Sequence, residues 1–173
     1  DDLVPTKDHA PAGFFPEGSP DSLIPTSVAH IARDLLDPNF DRQMVVSKMR
    51  RKNSGIKRVL LDQNLLSGIG NIYADESLWR SRIHYDKPAS SISPRKLLDL
   101  IDQASDVLRE AVERGGTSFD QQYKNVNGES GYFSQDLNAY SRNGLPCPRC
   151  GTAIKREAWA NRSSYFCPKC QRR

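Results

Sequence analysis

The sequence contains no run of about 18 apolar residues, which is the length that an α-helix needs to cross a bilayer. Its first residues, Asp1, Asp2 and Leu3, also lack the basic stretch and following apolar stretch of an export signal. With 37% apolar and 27% charged residues and a mean hydropathy of −0.65, the 173-residue chain has the composition of a water-soluble globular protein. We therefore expect no membrane partner and a cytoplasmic location.

Basic residues outnumber acidic ones in the larger part of the chain. Residues 1–41 hold eight acidic residues against Lys7 and Arg33, a balance of −6, so the remaining 132 residues must carry +10 to give the net charge of +4. Positions 42–58 contain no acid and seven cations: Arg42, Lys48, Arg50, Arg51, Lys52, Lys57 and Arg58. Such a concentration favours a polyanionic partner, because neutralising phosphates releases condensed counterions. A solvated basic surface that only keeps the protein soluble is the alternative.

The N-terminal segment shows no regular periodicity. Residues 1–25 are rich in proline, glycine and aspartate, which predicts a loop or linker. Residues 26–36 predict a short helix capped by Thr26, and Asp37-Pro38 would end it.

Helical spacing is clear from Asp41 onward. The first pattern covers residues 41–52, and a second, shorter helix follows around Ile56, Val59 and Leu60. The longest helix is predicted to begin at Pro94 behind Ser93 as its cap and to end near Arg114. Its apolar stripe is assigned to core packing and consists of Leu97, Leu100, Ile101, Ala104, Val107, Leu108 and Ala111.

A glycine turn separates two of these helices. Gly68 and Gly70 interrupt the helical pattern, and Asn71 is predicted to cap a helix that runs through Trp79. The free N–H groups and the positive dipole end of such a helix suit a phosphate. Many turns of this kind only connect helices, but the position just after a basic helix favours phosphate binding. A second irregular stretch, residues 117–133, is polar and long enough to predict a functional loop.

All four cysteines lie near the C-terminus. Cys147-x-x-Cys150 is followed by sixteen residues and then Cys167-x-x-Cys170, a spacing typical of a four-cysteine structural zinc site. The intervening residues can form a β-hairpin with Gly151 and Asn161 near its bends, and one zinc ion would provide the folding energy of so small a module. Two disulfides or a redox-active cysteine pair are the alternatives, but neither suits a chain without an export signal or a βαβ pattern.

Several motifs together resemble one family. They are Gly68-Ile69-Gly70-Asn71-Ile72-Tyr73-Ala74-Asp75-Glu76, Gly115-Gly116-Thr117, Gly131-Tyr132-Phe133, and the four-cysteine finger with Asn161-Arg162-Ser163-Ser164-Tyr165-Phe166-Cys167. In this order, across about residues 26–173, they resemble the formamidopyrimidine-DNA glycosylases, the 8-oxoguanine DNA glycosylases of bacterial type. The resemblance implies a mainly α, helix–two-turn–helix DNA-binding domain followed by a zinc β-hairpin.

The resemblance also implies roles for individual residues. Asn71, Lys57 and Tyr140 match residues that hold the DNA backbone beside the lesion, and Arg162 matches the finger arginine that clamps a phosphate. Arg162 is also the expected proton donor for the second elimination of strand cleavage. The implied DNA-binding set is Lys52, Asn53, Lys57, Gly70, Asn71, Tyr73, Tyr140 and Arg162. The loop 117–133 resembles the segment that closes over the extruded base. Ordinary surface groups are the alternative for these residues.

The chain departs from the family at its N-terminus. The family's nucleophile is an N-terminal proline followed by a catalytic glutamate, in a β-sandwich domain that also supplies a lysine, whereas this sequence begins Asp1-Asp2-Leu3. We therefore expect this chain to lack the catalytic β-sandwich domain and to bind DNA without turnover.

These observations predict three parts: residues 1–25 as a linker or a remnant of an N-terminal domain, residues 26–140 as the helical DNA-binding domain, and residues 141–173 as the zinc β-hairpin. We expect a monomer that binds duplex DNA with a lesion or abasic site, belongs to a base-excision glycosylase and abasic-site lyase, and is associated with the nucleoid. One alternative is a catalytically silent homologue that shields abasic sites or modulates a full-length glycosylase. A zinc-ribbon adaptor for proteins is another, but it leaves the basic helix and Arg162 unexplained.

Overall fold

A computed structural model describes residues 3–5, 23–25, 32–114 and 136–173. Two short strands, β1 (Leu3–Pro5) and β2 (Leu23–Pro25), pair antiparallel with Val4 opposite Ile24. They are followed by helices α1 (Arg42–Met49), α2 (Ile56–Leu60), α3 (Asn71–Arg80) and α4 (Pro94–Glu113), and then by the hairpin of β3 (Lys155–Trp159) and β4 (Arg162–Phe166). The structure thus has strands rather than loop at residues 3–5 and 23–25 of the segment predicted as a linker or a remnant of an N-terminal domain, because backbone pairing between distant segments leaves no local periodicity in the sequence.

The predicted helix over residues 26–36 is also wrong where the structure describes it. Residues 32–36 are not helical, and a turn at residues 35–36 lets the Asp34 carboxylate accept a hydrogen bond from the N–H of Leu36 at 2.8 Å. Asp34 also pairs with Ser67 in an isolated parallel bridge. A short aspartate side chain offers the backbone an alternative to helical hydrogen bonds, and here that alternative prevails. Residues 26–31 lie outside the described residues.

The two basic helices form as predicted. The Asp41 side chain caps α1 by accepting from the N–H of Met44 at 3.0 Å, and Val45, Val46 and Met49 are buried on its inner side. In α2 the apolar Ile56, Val59 and Leu60 are buried as well. The helices therefore turn their apolar residues to the core, and six of the seven cations of residues 42–58 lie wholly or partly at the surface.

The turn before α3 needs one of its two glycines. Gly68 has φ of +86°, and a Cβ there would lie 2.2 Å from the Asp34 carboxylate, so a larger residue would be excluded both by strain and by contact. Gly70 has an ordinary φ and open space where a Cβ would be. Gly70, rather than Asn71, is the N-cap residue of α3, and it provides no side-chain cap. Asn71 is the first helical residue, so its amide can reach other partners.

The long helix α4 organises the core. Ser93 caps it by accepting from the N–H of Lys96, Pro94 occupies its first turn, and all seven residues of the predicted apolar stripe are buried. Helices α1 and α3 pack on α4, and β4 of the hairpin packs on α3. Phe166 of the hairpin belongs to the same apolar cluster as the helices, so the two predicted modules share a core. No helix within the described residues is long and apolar enough to cross a membrane.

Candidate nucleic-acid interface and metal centre

The four cysteines converge on one point. Their Sγ atoms all lie within 4.8 Å of one another, and Cys150 Sγ is 3.5 Å from Cys167 Sγ. Zinc–sulfur bonds of about 2.3 Å in a tetrahedron place the sulfurs about 3.8 Å apart, so the cluster fits one ion. The described backbone also turns as such a site requires, with Gly151 at φ of +75° and the N–H of Cys170 donating to Cys167 Sγ. The cluster is a structural zinc site for a single Zn²⁺.

Helix α3 contacts the zinc site directly. The indole N–H of Trp79, near the end of α3, donates to Cys147 Sγ at 3.3 Å. The Arg149 guanidinium lies 4.0 Å from the centre of the Trp79 ring and donates to the carbonyl oxygens of Trp79 and Arg80. Gln171 completes the attachment, since its buried amide donates to the Ile83 carbonyl and accepts from the N–H of Cys167. Such hydrogen bonds around metal ligands fix their orientation.

A tight turn at the end of the finger orients Arg162. Ala160 and Asn161 have φ of +44° and +61° and form the two-residue turn between β3 and β4. Trp159 and Arg162 are cross-strand partners on either side of this turn. Both therefore project on the same face of the hairpin, toward α2 and the glycine turn.

That face of the hairpin and the helices enclose a groove of about 670 Å³, which we call the basic groove. Three of the predicted DNA-binding residues, Lys52, Gly70 and Arg162, lie on its walls. Its lining includes Lys52, Ser54, Arg58, Asp62, Gln63, Gly70, Trp159 and Arg162. The Lys52 ammonium pairs with Asp62 at 2.9 Å, whereas Arg162 is exposed and has no acidic partner among the described residues. The groove therefore presents guanidinium charge beside the N-terminus of α3.

Asn71 and Tyr140 lie together next to the hairpin. The Asn71 amide donates to the carbonyl oxygen of Ser163 at 3.2 Å and hydrogen-bonds with Tyr140. The Tyr140 ring packs on Tyr165 with centroids 5.0 Å apart. Burial raises the pKa of Tyr140 above its ordinary value, and the bond to Asn71 opposes that rise. The structure thus brings together residues that are 69 positions apart in the sequence.

Lys57 lies in the protein interior, although the sequence predicts a phosphate contact for it. Its side chain is fully buried, and Nζ lies 2.7 Å from an Asp75 oxygen, which is also buried. The same nitrogen donates to Ser164 Oγ and to the Ser163 carbonyl, at 2.9 Å and 3.0 Å. Asp75 accepts from the N–H of Tyr165 as well. Lys57 therefore ties α2 and α3 to β4, and its ammonium is already surrounded by protein partners.

The buried pair shifts the pKa of both members. Burial raises the pKa of Asp75 to about 6, although Lys57 and the Tyr165 N–H oppose the rise. Burial likewise lowers the pKa of Lys57, with Asp75 opposing. In both residues the loss of hydration outweighs the attraction of the partner, which is common for ion pairs in protein interiors. The pair is therefore better suited to fix the position of β4 than to add stability.

Glu76 holds the segment that contains Tyr140. One carboxylate oxygen accepts from the N–H groups of Ala139 and Tyr140, and the other accepts from the backbone and side chain of Asn138, all at 2.8–3.1 Å. Glu76 is buried, so these hydrogen bonds replace its hydration. Glu76 thereby fixes Tyr140 against α3. The only signal for this role in the sequence is the place of Glu76 in the Gly68–Glu76 motif.

We expect Glu76→Gln to lower the free energy of unfolding by about 2 kcal/mol, because an amide can accept only part of these hydrogen bonds and turns two hydrogens toward donors. Urea denaturation of the zinc-loaded chain measures the change. Glu113→Gln, at the exposed end of α4, is the matched control and should be neutral. Equal stability of both variants would mean that the segment is held by other contacts.

The remaining predicted site residues are one exposed residue, one half-buried residue and a loop outside the described residues. Asn53 is exposed between α1 and α2, outside the basic groove, while Tyr73 is half-buried and packs between two apolar clusters. The loop 117–133 lies outside the described residues. The site residues predicted from the sequence do not include Asp75, Arg58 or Trp159. Helical spacing places Asp75 on the same side of α3 as Leu78 and Trp79, which is a sequence signal for its burial, but spacing does not reveal its partner.

Comparison with known proteins agrees with this geometry. Residues 31–122 match the H2TH domain of formamidopyrimidine-DNA glycosylase, and residues 144–173 match the zinc finger found in FPG and IleRS. The formamidopyrimidine-DNA glycosylase of Leifsonia xyli subsp. xyli is 59% identical over 172 residues, which cover 99% of this chain and 57% of that protein. This chain therefore spans little more than half the length of such relatives.

Solved structures show the same fold. The crystal structure of MutM (Fpg) from Thermus thermophilus aligns with a TM-score of 0.78 and 36% identity, over 83% of this chain and 55% of that one. The Lactococcus lactis Fpg, in a complex with DNA that contains an abasic site, aligns with a TM-score of 0.71 and 34% identity, over 78% of this chain and 49% of that one. Because the helix–two-turn–helix model alone matches more than half of its residues, the chain belongs to the formamidopyrimidine-DNA glycosylase family.

Proposed function

We propose that this chain binds duplex DNA carrying an oxidised purine or an abasic site, as the C-terminal part of a base-excision glycosylase with abasic-site lyase activity. The basic groove is the observation that carries the proposal, because it joins a helix N-terminus and a guanidinium with no acidic partner among the described residues on one concave surface. Both features recognise phosphate, the first through N–H groups and dipole and the second through a planar fork of donors. The Lactococcus lactis relative, which binds abasic-site DNA, supports the same partner.

The residues have distinct roles in this proposal. Arg162 clamps one backbone phosphate from the hairpin, and the amides around Gly70 and Asn71 bind another at the start of α3. Tyr140 is held beside Asn71 and contributes its hydroxyl, with Lys52, Asn53 and Tyr73 as further contacts. In the complete reaction Arg162 also donates the proton for the second elimination, which needs the proline and glutamate of the catalytic domain. The binding chemistry of these 173 residues requires neither group.

The organisation proposed is a mainly α DNA-binding domain over residues 26–140 and the zinc β-hairpin over residues 141–173. The zinc site keeps the hairpin rigid enough for Arg162 to face the N-terminus of α3. We propose that the protein acts as a monomer, since the groove is built from a single chain. A cytoplasmic, nucleoid-associated location follows from the DNA partner.

Replacing Arg162 tests the clamp. We expect Arg162→Ala to reduce the slope of log affinity against log salt by about one, because each phosphate contact contributes about 0.9 to that slope. Affinity should fall similarly for different sequences around the lesion, and zinc content should not change. Fluorescence-anisotropy titrations on abasic-analogue DNA at several salt concentrations provide the measurement.

Lys155→Ala is the matched control, since Lys155 is an exposed cation at the opposite end of the hairpin and does not line the groove. Its slope should stay close to that of the parent. If Arg162→Ala kept the parental slope and affinity, Arg162 would not contact DNA and the hairpin would not act as a clamp.

A further inference from the structure

One cation of the basic groove is not among the DNA-binding residues that the sequence predicts. Arg58 lies on α2, is exposed, and lines the groove together with Arg162. The other cation of this helix, Lys57, points into the interior. Adjacent residues of α2 thus differ in function: Lys57 attaches the hairpin, while Arg58 faces the space where the proposed function places DNA.

The Arg58 guanidinium is held by an aromatic ring rather than by an acid. Its Cζ atom lies 5.6 Å from the centre of the Trp159 ring, within the range of a cation–π interaction. No carboxylate pairs with Arg58 in the part of the chain that the structure describes, whereas Lys52, on the same groove, is neutralised by Asp62. A ring fixes the position of a guanidinium without neutralising its charge and without occupying its N–H donors. Arg58 therefore keeps both for a ligand.

Trp159 gains its position from the hairpin turn. It is half-buried, stands opposite Arg162 across β3 and β4, and lines the same groove. The Lys57 ammonium lies 4.8 Å from the centre of the same ring. The Trp159 indole thus contacts Arg58 and Lys57 of α2 and lies beside Arg162 of the hairpin. Its ring is therefore held at the junction between the helices and the hairpin.

We propose that Arg58, positioned by the ring of Trp159, forms a second phosphate subsite in the basic groove, which takes a backbone phosphodiester of DNA beside the one bound by Arg162. This inference rests on the proposed function of the groove and adds a contact to it. An arginine suits the subsite because its planar fork can bind two phosphate oxygens at once, and a lysine could not reproduce that geometry. The subsite recognises a phosphodiester of the DNA backbone, so the contact is independent of base sequence.

The test compares the salt dependence of DNA affinity in the full, zinc-loaded chain. Arg58→Gln removes the charge and should lower affinity about tenfold near 0.1 M salt while reducing the slope by about one. Arg50→Gln is the matched control, because it removes an exposed cation of the same basic run that lines a different depression of the surface. It should leave the slope close to the parental value. Arg58→Lys should keep the slope but lose part of the affinity.

Trp159→Leu tests the positioning role. It keeps Arg58 and its charge, so the slope should remain parental while affinity falls about threefold, the effect of a guanidinium that is no longer held on a ring. In the double variant Arg58→Gln, Trp159→Leu, affinity should be no lower than in Arg58→Gln alone, because the ring acts through the arginine. Zinc content and the far-UV signal confirm that each variant is folded.

Three outcomes would overturn the inference. The first is a parental slope in Arg58→Gln. The second is an equal loss of slope in Arg50→Gln, which would mean that the effect comes from net charge alone and not from a contact made by Arg58. The third is a loss of affinity in Trp159→Leu that persists in the Arg58→Gln background, which would make Trp159 a stacking platform for a base. Failure of the proposed function itself is distinguishable, since Arg162→Ala would then also have no effect on the slope.

Discussion

Replacing Cys167 by Ser is expected to remove zinc and DNA binding together. Cys167 is a fully buried member of the four-sulfur cluster, and structural zinc contributes about 10–16 kcal/mol to the folding of modules of this kind. Without the ion, the hairpin has too little apolar surface to remain folded, and Arg162 and Trp159 lose their fixed positions. We expect zinc content to fall from one ion per chain to nearly none. Affinity for abasic-analogue DNA should fall by at least a hundredfold.

The helical part should respond differently to the same change. Its core is formed mainly by residues of α1–α4, so most of the far-UV helical signal should remain. Phe166 belongs to that core and Trp79 contacts Cys147, so the thermal midpoint of the helices should nevertheless fall. Elemental analysis, circular dichroism and DNA titration on one preparation measure the three effects.

Lys169→Ala is the control for this substitution, because Lys169 is exposed between the second pair of ligands and provides no sulfur. It should retain one zinc ion and most of the DNA affinity. A Cys167→Ser protein that lost its zinc and still bound DNA normally would show that the hairpin takes no part in binding.

The sequence predicts the parts of the fold that depend on neighbouring residues. The cap Ser93 and the apolar stripe of α4 are local signals, and the structure confirms both. The spacing of the cysteines similarly predicts the zinc site, because two Cys-x-x-Cys turns around one ion leave little geometric freedom. The predicted helix over residues 26–36 fails in its described part because Asp34 bonds with the turn and with the segment near Ser67, which no local pattern reveals.

The candidate site depends instead on contacts between distant residues. Residue type and spacing predict that Lys57 is a surface cation of a basic helix, whereas the folded chain places Asp75 and the strand carrying Ser164 against it. The burial of Lys57 therefore follows from tertiary packing rather than from propensity. The same holds for Arg58 and Trp159, which are 101 positions apart and meet only because the finger packs on the helices.

Replacing Lys57 by Met is expected to destabilise the protein in a manner that depends on pH. The variant leaves the Asp75 carboxylate buried without its counter-charge, and breaking a buried pair in this way lowers the free energy of unfolding by about 3–5 kcal/mol. The pKa of Asp75 is already raised to about 6 by burial, and loss of the lysine should raise it further. At pH 8 the folded variant must therefore carry an unfavourable buried charge.

The direction of the pH effect follows from proton binding. A carboxyl whose pKa is higher in the folded than in the unfolded state binds more protons when folded, so its contribution to stability is present at low pH and is lost as pH rises through the folded pKa. In the parent this loss is centred on the range from about 4 to 6, and in Lys57→Met it extends to higher pH. The deficit of the variant should therefore be largest near pH 8 and should shrink toward pH 5.

Urea denaturation of the parent and of Lys57→Met between pH 5 and pH 8 provides the measurement, and the difference between them cancels the pH dependence of zinc binding that they share. The double variant Lys57→Met, Asp75→Asn removes both charges and should recover much of the lost stability at pH 8. A deficit independent of pH, or a double variant less stable than Lys57→Met, would show that the pair is not what the substitution disrupts.

DNA binding by the same variants separates the two roles that Lys57 could have. The Lys57 ammonium is buried against Asp75, Ser163 and Ser164. It should therefore affect DNA affinity by holding β4 in place rather than by neutralising a phosphate. The double variant should then bind DNA more weakly while its slope against log salt equals that of the parent, because no contact with a phosphate is lost. A slope reduced by about one would instead mean that the ammonium leaves Asp75 and reaches the backbone when DNA binds, as the resemblance to the family implies. Arg162→Ala, measured in parallel, defines the change that a lost phosphate contact produces in this chain.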